Sequence, residues 1–183
     1  MLYVIAYILS LLPFRILFAV SDVLAWLACD VVRYRRSAVR GNLESSFPEK
    51  SREEIRKIEK RFYRFLCDYF METLKLASMS EKKMRRHLKV ENIEEINDAV
   101  EKGQSVTLYL GHYCNWEWVS SLPLHISSAA RCAQIYHPLE NKAFDRLLYK
   151  LRTRFDANNI PMSEIMQRLV RWKKEGVPTV TGY

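Results

Sequence analysis

The sequence of 183 residues has only five glycines, and the common glycine-rich motifs are missing from it. It contains no G-x-G-x-x-G, no G-x-x-x-x-G-K-[ST] and no G-x-S-x-G, so nothing supports a dinucleotide-binding fold, a P-loop or a serine-hydrolase nucleophile. Its four cysteines are scattered, without a C-x-x-C pair and without histidines at zinc-ligand spacing. We therefore expect reduced, mostly buried thiols in a reducing compartment, and we predict neither a disulfide framework nor a metal site.

A long uncharged hydrophobic run is also missing. The apolar head, residues 1–32, is free of charge only as far as residue 14, which is shorter than the roughly 18 residues expected of a membrane span. Two interpretations stay open: a tilted helix that crosses the membrane, with Arg15 snorkelling or facing protein, or two short helices that lie in the interface and break at Pro13. Both make residues 1–32 a membrane anchor. The alternative is an ordinary buried helix pair.

The positive charge is concentrated in one part of the chain. The formal net charge is +8, and residues 33–89 carry 17 Lys and Arg against 8 Asp and Glu, while residues 90–183 carry 11 of each sign. A basic block directly after an apolar head fits an anionic membrane surface better than nucleic acid. The arginines from Arg33 to Arg40 follow the head at once, and the positive-inside rule places them on the cytoplasmic side.

Hydrophobic periodicity gives the order of the secondary structure elements. Apolar residues make up 49% of the chain and charged residues 27%, which is typical of a globular protein. Ser51 and Glu54 form a capping-box pattern that opens a long amphipathic helix, whereas residues 41–48 are turn-rich and predict a connector. The predicted strands are 105–110, 131–135 and 177–181. The other predicted helices are 81–88, 93–101, 141–155 and 163–175. The stretch after His112, to about Ile126, is also compatible with a helix.

Strands that alternate with helices after residue 103 favour a mixed βαβ core, so the predicted fold class is α/β. The chain then divides into a membrane anchor (1–32, one helix or a helix pair), a basic helical region (33–102) and an α/β core (103–183). The sequence stops directly after the third predicted strand, with no closing helix or polar tail. We therefore expect the core to be incomplete at its C-terminal end.

Two side chains with catalytic potential follow the first predicted strand. His112 and Glu117 lie five residues apart at the carboxyl end of that strand, where open α/β sheets place ligands. A histidine can abstract a proton near neutral pH, and a carboxylate bound to its second ring nitrogen would fix the tautomer. Cys114 is badly placed to act jointly with His112. The pair therefore favours a base that acts on a substrate hydroxyl, with a structural histidine as the alternative.

Residues 111–117, Gly-His-Tyr-Cys-Asn-Trp-Glu, resemble the G-H-x-x-N-W-E signature of the late lipid A acyltransferases, which are lysophospholipid-acyltransferase-like enzymes. Residues 36–43 and the following Phe47-Pro48 are similar to the family's R-x-x-V-x-x-N-L…F-P block. Residues 136–141 resemble Y-R-P-L-x-N, and residues 152–155 resemble R-x-R-F-G. The resemblance thus spans nearly the whole chain in the family's order.

The sequence departs from the family's pattern at two positions. His137 stands where the family has arginine, and Asp156 stands where it has glycine. An Asp-Gln pair of the family would begin just past Tyr183, and the family's chains are longer. The resemblance therefore implies the N-terminal part of such an enzyme.

The resemblance implies transfer of a fatty acyl chain from acyl carrier protein to a hydroxyl of an acyl chain on a Kdo-lipid A precursor. This reaction takes place at the cytoplasmic face of the inner membrane, and no cofactor is implied. His112 would be the general base and Glu117 its orienting carboxylate. Arg152 or Arg154 would contact the oxyanion or a lipid phosphate. Altogether, the resemblance implies four substrate-binding residues: Asn115, Trp116, Arg152 and Arg154.

Two alternative functions stay open from the sequence. Glycerolipid acyltransferases also place an acid five residues after a histidine, but they use aspartate and carry an F-P-E-G block downstream of it. Here Phe47-Pro48-Glu49 lies upstream and lacks the glycine. The other alternative is a truncated, non-catalytic membrane-associated protein.

Overall fold

The computed structural model describes residues 2–182, and it contains helices of three kinds around a small sheet. The α-helices are α1 (Leu2–Ser10), α2 (Phe14–Trp26), α3 (Arg36–Ser46), α4 (Arg52–Lys75), α5 (Glu81–His87), α6 (Ile93–Glu101), α7 (Lys142–Arg152) and α8 (Ile165–Lys174). A π-helical turn (Leu27–Val31) continues α2, and a 3-10 helix (Trp116–Leu124) follows the first strand. The strands are β1 (Val106–Leu108), β2 (Arg131–Tyr136), β3 (Asn158–Pro161) and β4 (Thr179–Gly182).

The four strands form one parallel sheet in the order β1-β4-β2-β3. Val106 is in register with Val180 of β4, and Ala133 of β2 is in register with Asn158 of β3. Parallel strands joined through helices confirm the α/β class. The three predicted strands are present, and β3 is an additional edge strand in this part of the chain.

Both faces of the sheet are covered, as expected for parallel strands. Successive residues of a strand point to opposite faces, so Cys132 and Ala133 enter different cores. Cys132 packs with Val100 of α6, whereas Ala133 packs with Trp172 of α8. Burial raises the pKa of the Cys132 thiol to about 11, so this thiol is protonated and inert at neutral pH.

The long helix α4 connects the N-terminal helices to the sheet. Its predicted capping box is confirmed: the Ser51 backbone N–H donates to Glu54 Oε2 at 2.9 Å, and the Ser51 hydroxyl caps the backbone N–H of Glu54. A buried cluster follows at the C-terminal end of α4 and joins it to α5 and α7. Its members are Leu76, Ala77, Met79, Met84, Leu151 and Phe155.

The prediction of a turn-rich connector at residues 41–48 is wrong, because α3 is helical as far as Ser46. Gly41 and Asn42 are weak helix formers, but tertiary contacts override this weak preference. Arg36 and Arg40, one turn apart on α3, both bind the buried carboxylate of Glu59, at 2.9 and 2.7 Å. These contacts hold α3 against α4.

The apolar head forms two helices that meet at Pro13 with a bend of 117°. Within residues 2–182 no single helix is long and apolar enough to cross a membrane, although α1 together with α2 and its π-helical turn passes that test as a bent pair. Lys75 Nζ donates to the carbonyls of Ser10 and Leu12, both at 2.7 Å, and fixes the bend to the end of α4. The outward face of the head is apolar and exposed, and includes Val4, Ile8, Leu11, Val23 and Trp26.

Candidate active site

His112 lies in the loop that leaves β1 at the carboxyl edge of the sheet, as the sequence predicts. Its side chain is exposed, and its ring packs against Trp116 in an edge-to-face arrangement with the centroids 4.7 Å apart. Cys114 has a positive φ of 52°, which turns the chain between the two rings. The loop therefore presents His112 to solvent above the start of the 3-10 helix.

His112 borders a cleft of about 360 Å³ at this edge of the sheet, a volume in the range of small-molecule sites. Trp116 and Arg152 line the same cleft, and most of its remaining wall is apolar. Those wall residues, from β2 and from the segments after β1, β2 and β3, include Leu110, Ile135, Tyr136, Leu139 and Met162. The cleft thus combines a largely apolar wall with two histidines, His112 and His137, and one cation, Arg152.

Glu117 is buried beneath this cleft and is bound by Arg152. Arg152 Nε donates to Glu117 Oε2 at 2.7 Å, and Arg152 Nη2 donates to Oε1 at 2.6 Å. The Tyr69 hydroxyl adds a third hydrogen bond to Oε1 at 3.2 Å. In the part of the chain that the structure describes, no hydrogen bond joins Glu117 to His112, so the predicted contact between them is not formed. The two-pronged guanidinium fork occupies both carboxylate oxygens instead.

The electrostatics of Glu117, Arg152 and the half-buried Tyr69 favour an ion pair with a neutral tyrosine. Burial acts to lower the pKa of Arg152, but the hydrogen bonds and charge of Glu117 outweigh it and raise that pKa. Burial, followed by the negative charge of Glu117, raises the pKa of Tyr69 well above its usual value. Tyr69 therefore stays a proton donor to Glu117 at physiological pH.

Trp116 and Asn115, the other predicted residues of this loop, have different surroundings. Trp116 lines the cleft between His112 and Arg152, whose guanidinium lies 5.3 Å from its ring centroid. The amide of Asn115 points away from the cleft wall and donates to Glu72 Oε2 at 2.9 Å. Asn115 thereby ties the loop to α4.

Arg154 is separated from Arg152 by the end of α7. Its guanidinium donates to the carbonyl of Leu76 at 2.7 Å and to that of Met79, and so satisfies backbone acceptors at the end of α4. Nearby, Asp156 replaces the family's glycine at a position where φ is 61°. This is the left-handed region, which glycine enters freely and aspartate tolerates better than most residues.

Sequence reasoning missed the part that Tyr69 plays in the site. Tyr69 falls in the apolar stripe of α4, and that periodicity predicts only core packing. Nothing in the sequence joins it to Glu117, which lies 48 residues further on. His137, the departure from the family's arginine, also lines the cleft. No group of three potential metal ligands occurs among residues 2–182.

A family model described as bacterial lipid A biosynthesis acyltransferase matches residues 1–181. The match includes the loop of His112, both helices of the head and every residue that lines the cleft except Gly182. Comparison with curated proteins gives no match.

Proposed function

This chain belongs to the bacterial lipid A biosynthesis acyltransferases, and from that premise we propose the reaction that it catalyses. It transfers a fatty acyl chain from the thioester of acyl carrier protein to a hydroxyl of a Kdo-lipid A precursor. The observation that carries this proposal is the position of His112, exposed on the wall of an apolar cleft directly above a buried Arg152–Glu117 pair. An acyl chain fits the apolar wall, and a base is available beside it.

His112 is the general base of the proposed mechanism. Its neutral imidazole takes the proton of the acceptor hydroxyl while the hydroxyl oxygen attacks the thioester carbonyl. A tetrahedral oxyanion forms and then collapses, which breaks the carbon–sulfur bond and leaves the new ester. The imidazolium returns its proton to the departing thiolate, and the carrier protein leaves as a thiol.

Arg152 is the better of the two arginine candidates for binding the oxyanion or a lipid phosphate, because it lines the cleft and Arg154 donates to backbone carbonyls. If Arg152 turns one N–H group toward such an anion, one oxygen of Glu117 becomes free to accept a hydrogen bond from His112. Glu117 would then orient the imidazole and stabilise its charged form. Trp116 would guide the acyl chain along the cleft, and Asn115 would hold the catalytic loop on α4.

The proposed partners follow the distribution of charge. The basic region 33–102 attracts the acidic acyl carrier protein and an anionic membrane surface, which together bring donor and acceptor to the cytoplasmic face of the inner membrane. The family match favours a lipid A precursor over a glycerolipid as the acceptor.

The test is an acyl-transfer assay with the full chain, a defined acyl-carrier donor and a lipid A precursor. His112→Ala should lower kcat by about 10²–10⁴-fold with little change in acceptor affinity. Because the His112 side chain is exposed, this variant should unfold at the same urea concentration as the wild type. His137→Ala removes another histidine of the same cleft and serves as the matched control, with kcat close to that of the wild type.

Two results would reject the proposal. A folded His112→Ala protein that keeps more than about a tenth of the wild-type kcat would exclude the general-base role. Absence of transfer by the wild-type chain with every acyl-carrier donor would exclude the proposed reaction for this chain.

A further inference from the structure

A second pocket, of about 390 Å³, lies between α3 and the first turns of α4, away from the acyl-transfer cleft. Its surface is dominated by guanidinium groups. The lining residues are Arg36, Arg40, Glu44, Arg52, Ile55 and Arg56. Residues 36–43 resemble a sequence block of the family, yet the acyl-transfer mechanism gives that block no role.

A buried carboxylate fixes two of these arginines in place. Glu59 is fully buried, and its two oxygens accept from Arg36 Nε at 2.9 Å and from Arg40 Nη2 at 2.7 Å. One carboxylate thus holds two guanidinium groups, which keep a net positive charge and remain partly exposed. Arginines fixed in this way are preorganised to bind a further anion.

The other two arginines lie where the helix itself disfavours them. Arg52 and Arg56 are one turn apart at the start of α4, where like charges repel each other and the helix dipole opposes cations. Within residues 2–182 neither of them forms an ion pair, unlike Lys57 and Arg64 on the same helix. With Glu44 and Glu59 included, the pocket has a net charge of +2. A bound anion would offset this local cost.

The chemistry of the pocket selects phosphate, and its surroundings select a lipid. Guanidinium forks bind phosphate through paired hydrogen bonds. Val31 and Val32, whose side chains are exposed, end the apolar head only three residues before α3 begins, and they supply apolar side chains for the acyl chains of a lipid. We propose that the arginine pocket between α3 and α4 binds the phosphate group of an anionic membrane lipid. This proposal does not depend on the acyl-transfer function.

The experiment compares binding of the full chain to two kinds of phosphatidylcholine vesicle with equal surface charge. One kind contains phosphatidate and the other contains oleate, which supplies charge without phosphate. The wild type should bind the phosphatidate vesicles at least about tenfold more tightly, as expected for charge-assisted hydrogen bonds. The ratio of the two affinities, phosphatidate vesicles over oleate vesicles, should fall close to one in Arg52→Gln/Arg56→Gln. In Arg52→Lys/Arg56→Lys the ratio should also fall, although the charge is kept. Neither pair of substitutions removes a described contact that holds α3 or α4.

The matched control is Lys60→Gln/Arg61→Gln, which removes the same charge from exposed positions of α4 outside the pocket. It should weaken binding to both vesicles alike and leave the ratio unchanged. A wild-type ratio of one, or an equal fall of the ratio in this control, would overturn the proposal. Calorimetric titration with inorganic phosphate separates the two sources of a phosphate group. Binding of free phosphate that is lost in Arg52→Gln/Arg56→Gln, together with a vesicle ratio of one, would assign the pocket to a soluble phosphate instead.

Discussion

At the scale of single residues, the ion pair between Glu117 and Arg152 has a structural effect as well as a proposed catalytic one. Both side chains are almost fully buried, so removal of either partner leaves an uncompensated charge in the interior. Glu117→Ala or Arg152→Ala should each lower the free energy of unfolding by about 3–5 kcal/mol. Glu117→Leu/Arg152→Met should recover most of that loss, because it removes both charges and keeps the volume. Urea denaturation measures all three.

The exposed pair of Lys57 and Glu53 is the control for this experiment. Lys57→Ala should change the free energy of unfolding by less than about 1 kcal/mol. If Lys57→Ala and Arg152→Ala lowered the free energy of unfolding equally, the result would contradict the structural role of Arg152. Loss of activity in a Glu117 variant therefore has to be expressed per folded molecule before it says anything about catalysis.

At the scale of secondary structure elements, the end of the 3-10 helix contains a group that is sensitive to pH. Burial, together with the positive charge of Arg85, lowers the pKa of His125 from 6.5. Asn97 Nδ2 of α6 donates a hydrogen bond to the His125 backbone carbonyl at 3.3 Å. Among residues 2–182, the buried His125 Nε2 has no hydrogen-bond partner. The unfolded chain takes up this proton at a higher pH than the folded chain, so stability should fall as the pH drops below about 6.5.

Urea midpoints at about pH 7.5 and pH 5.5 measure this effect. His125→Leu should remove much of the difference between the two midpoints, while His137→Leu, at an exposed histidine, should leave it unchanged. An acid-induced loss of the same size in His125→Leu and in the wild type would show that other groups cause it.

Other elements show how far sequence patterns reach. Helix α4 opens with a capping box, which is a local signal, so the start of this helix could be predicted. Strand β3 could not be predicted from the sequence, because Asn158 and Asn159 have low strand propensity. The side chain of Asn158 donates a hydrogen bond to the carbonyl of Cys132, a distant contact that leaves no local signal. The edge position of β3 tolerates Pro161 at its end.

The candidate site divides in the same way. The position of His112 after a strand follows from the pattern of the sequence, and the structure places it at the expected edge of the sheet. The hydrogen-bond partners of Glu117 could not be predicted from the sequence, because Arg152 and Tyr69 come from two other helices. Hydrogen bonds between distant segments leave no periodic signal in one sequence.

At the scale of the whole molecule, the head is both a membrane-binding candidate and part of the folded body. Ser21 donates to Asp68 of α4 at 2.6 Å, and Leu17 is buried, so deletion of residues 1–32 would also expose the core. A sharper test changes only the outward face. Ile8→Gln/Leu11→Gln should weaken binding to membranes at least about tenfold, because two apolar side chains no longer enter the bilayer.

Flotation with lipid vesicles measures this binding, and urea midpoints show that the fold is kept. Met166→Gln/Val170→Gln makes the same kind of change at exposed positions of α8 and should leave membrane binding intact. Unchanged flotation of Ile8→Gln/Leu11→Gln would place the anchor elsewhere, most directly on the basic helices.

The strand order also determines when the sheet can assemble during synthesis. Strand β4 comes last among the described strands, but it lies between β1 and β2. A nascent chain that has emerged only as far as β3 has no strand to bridge β1 to β2, and both expose unpaired backbone edges. β1 and β2 are therefore bridged only after Thr179–Gly182 leaves the ribosome. Until then the unfinished sheet exposes apolar strand residues while the outward face of the head is already available to a membrane, so we expect the nascent chain to be most prone to aggregation at this stage.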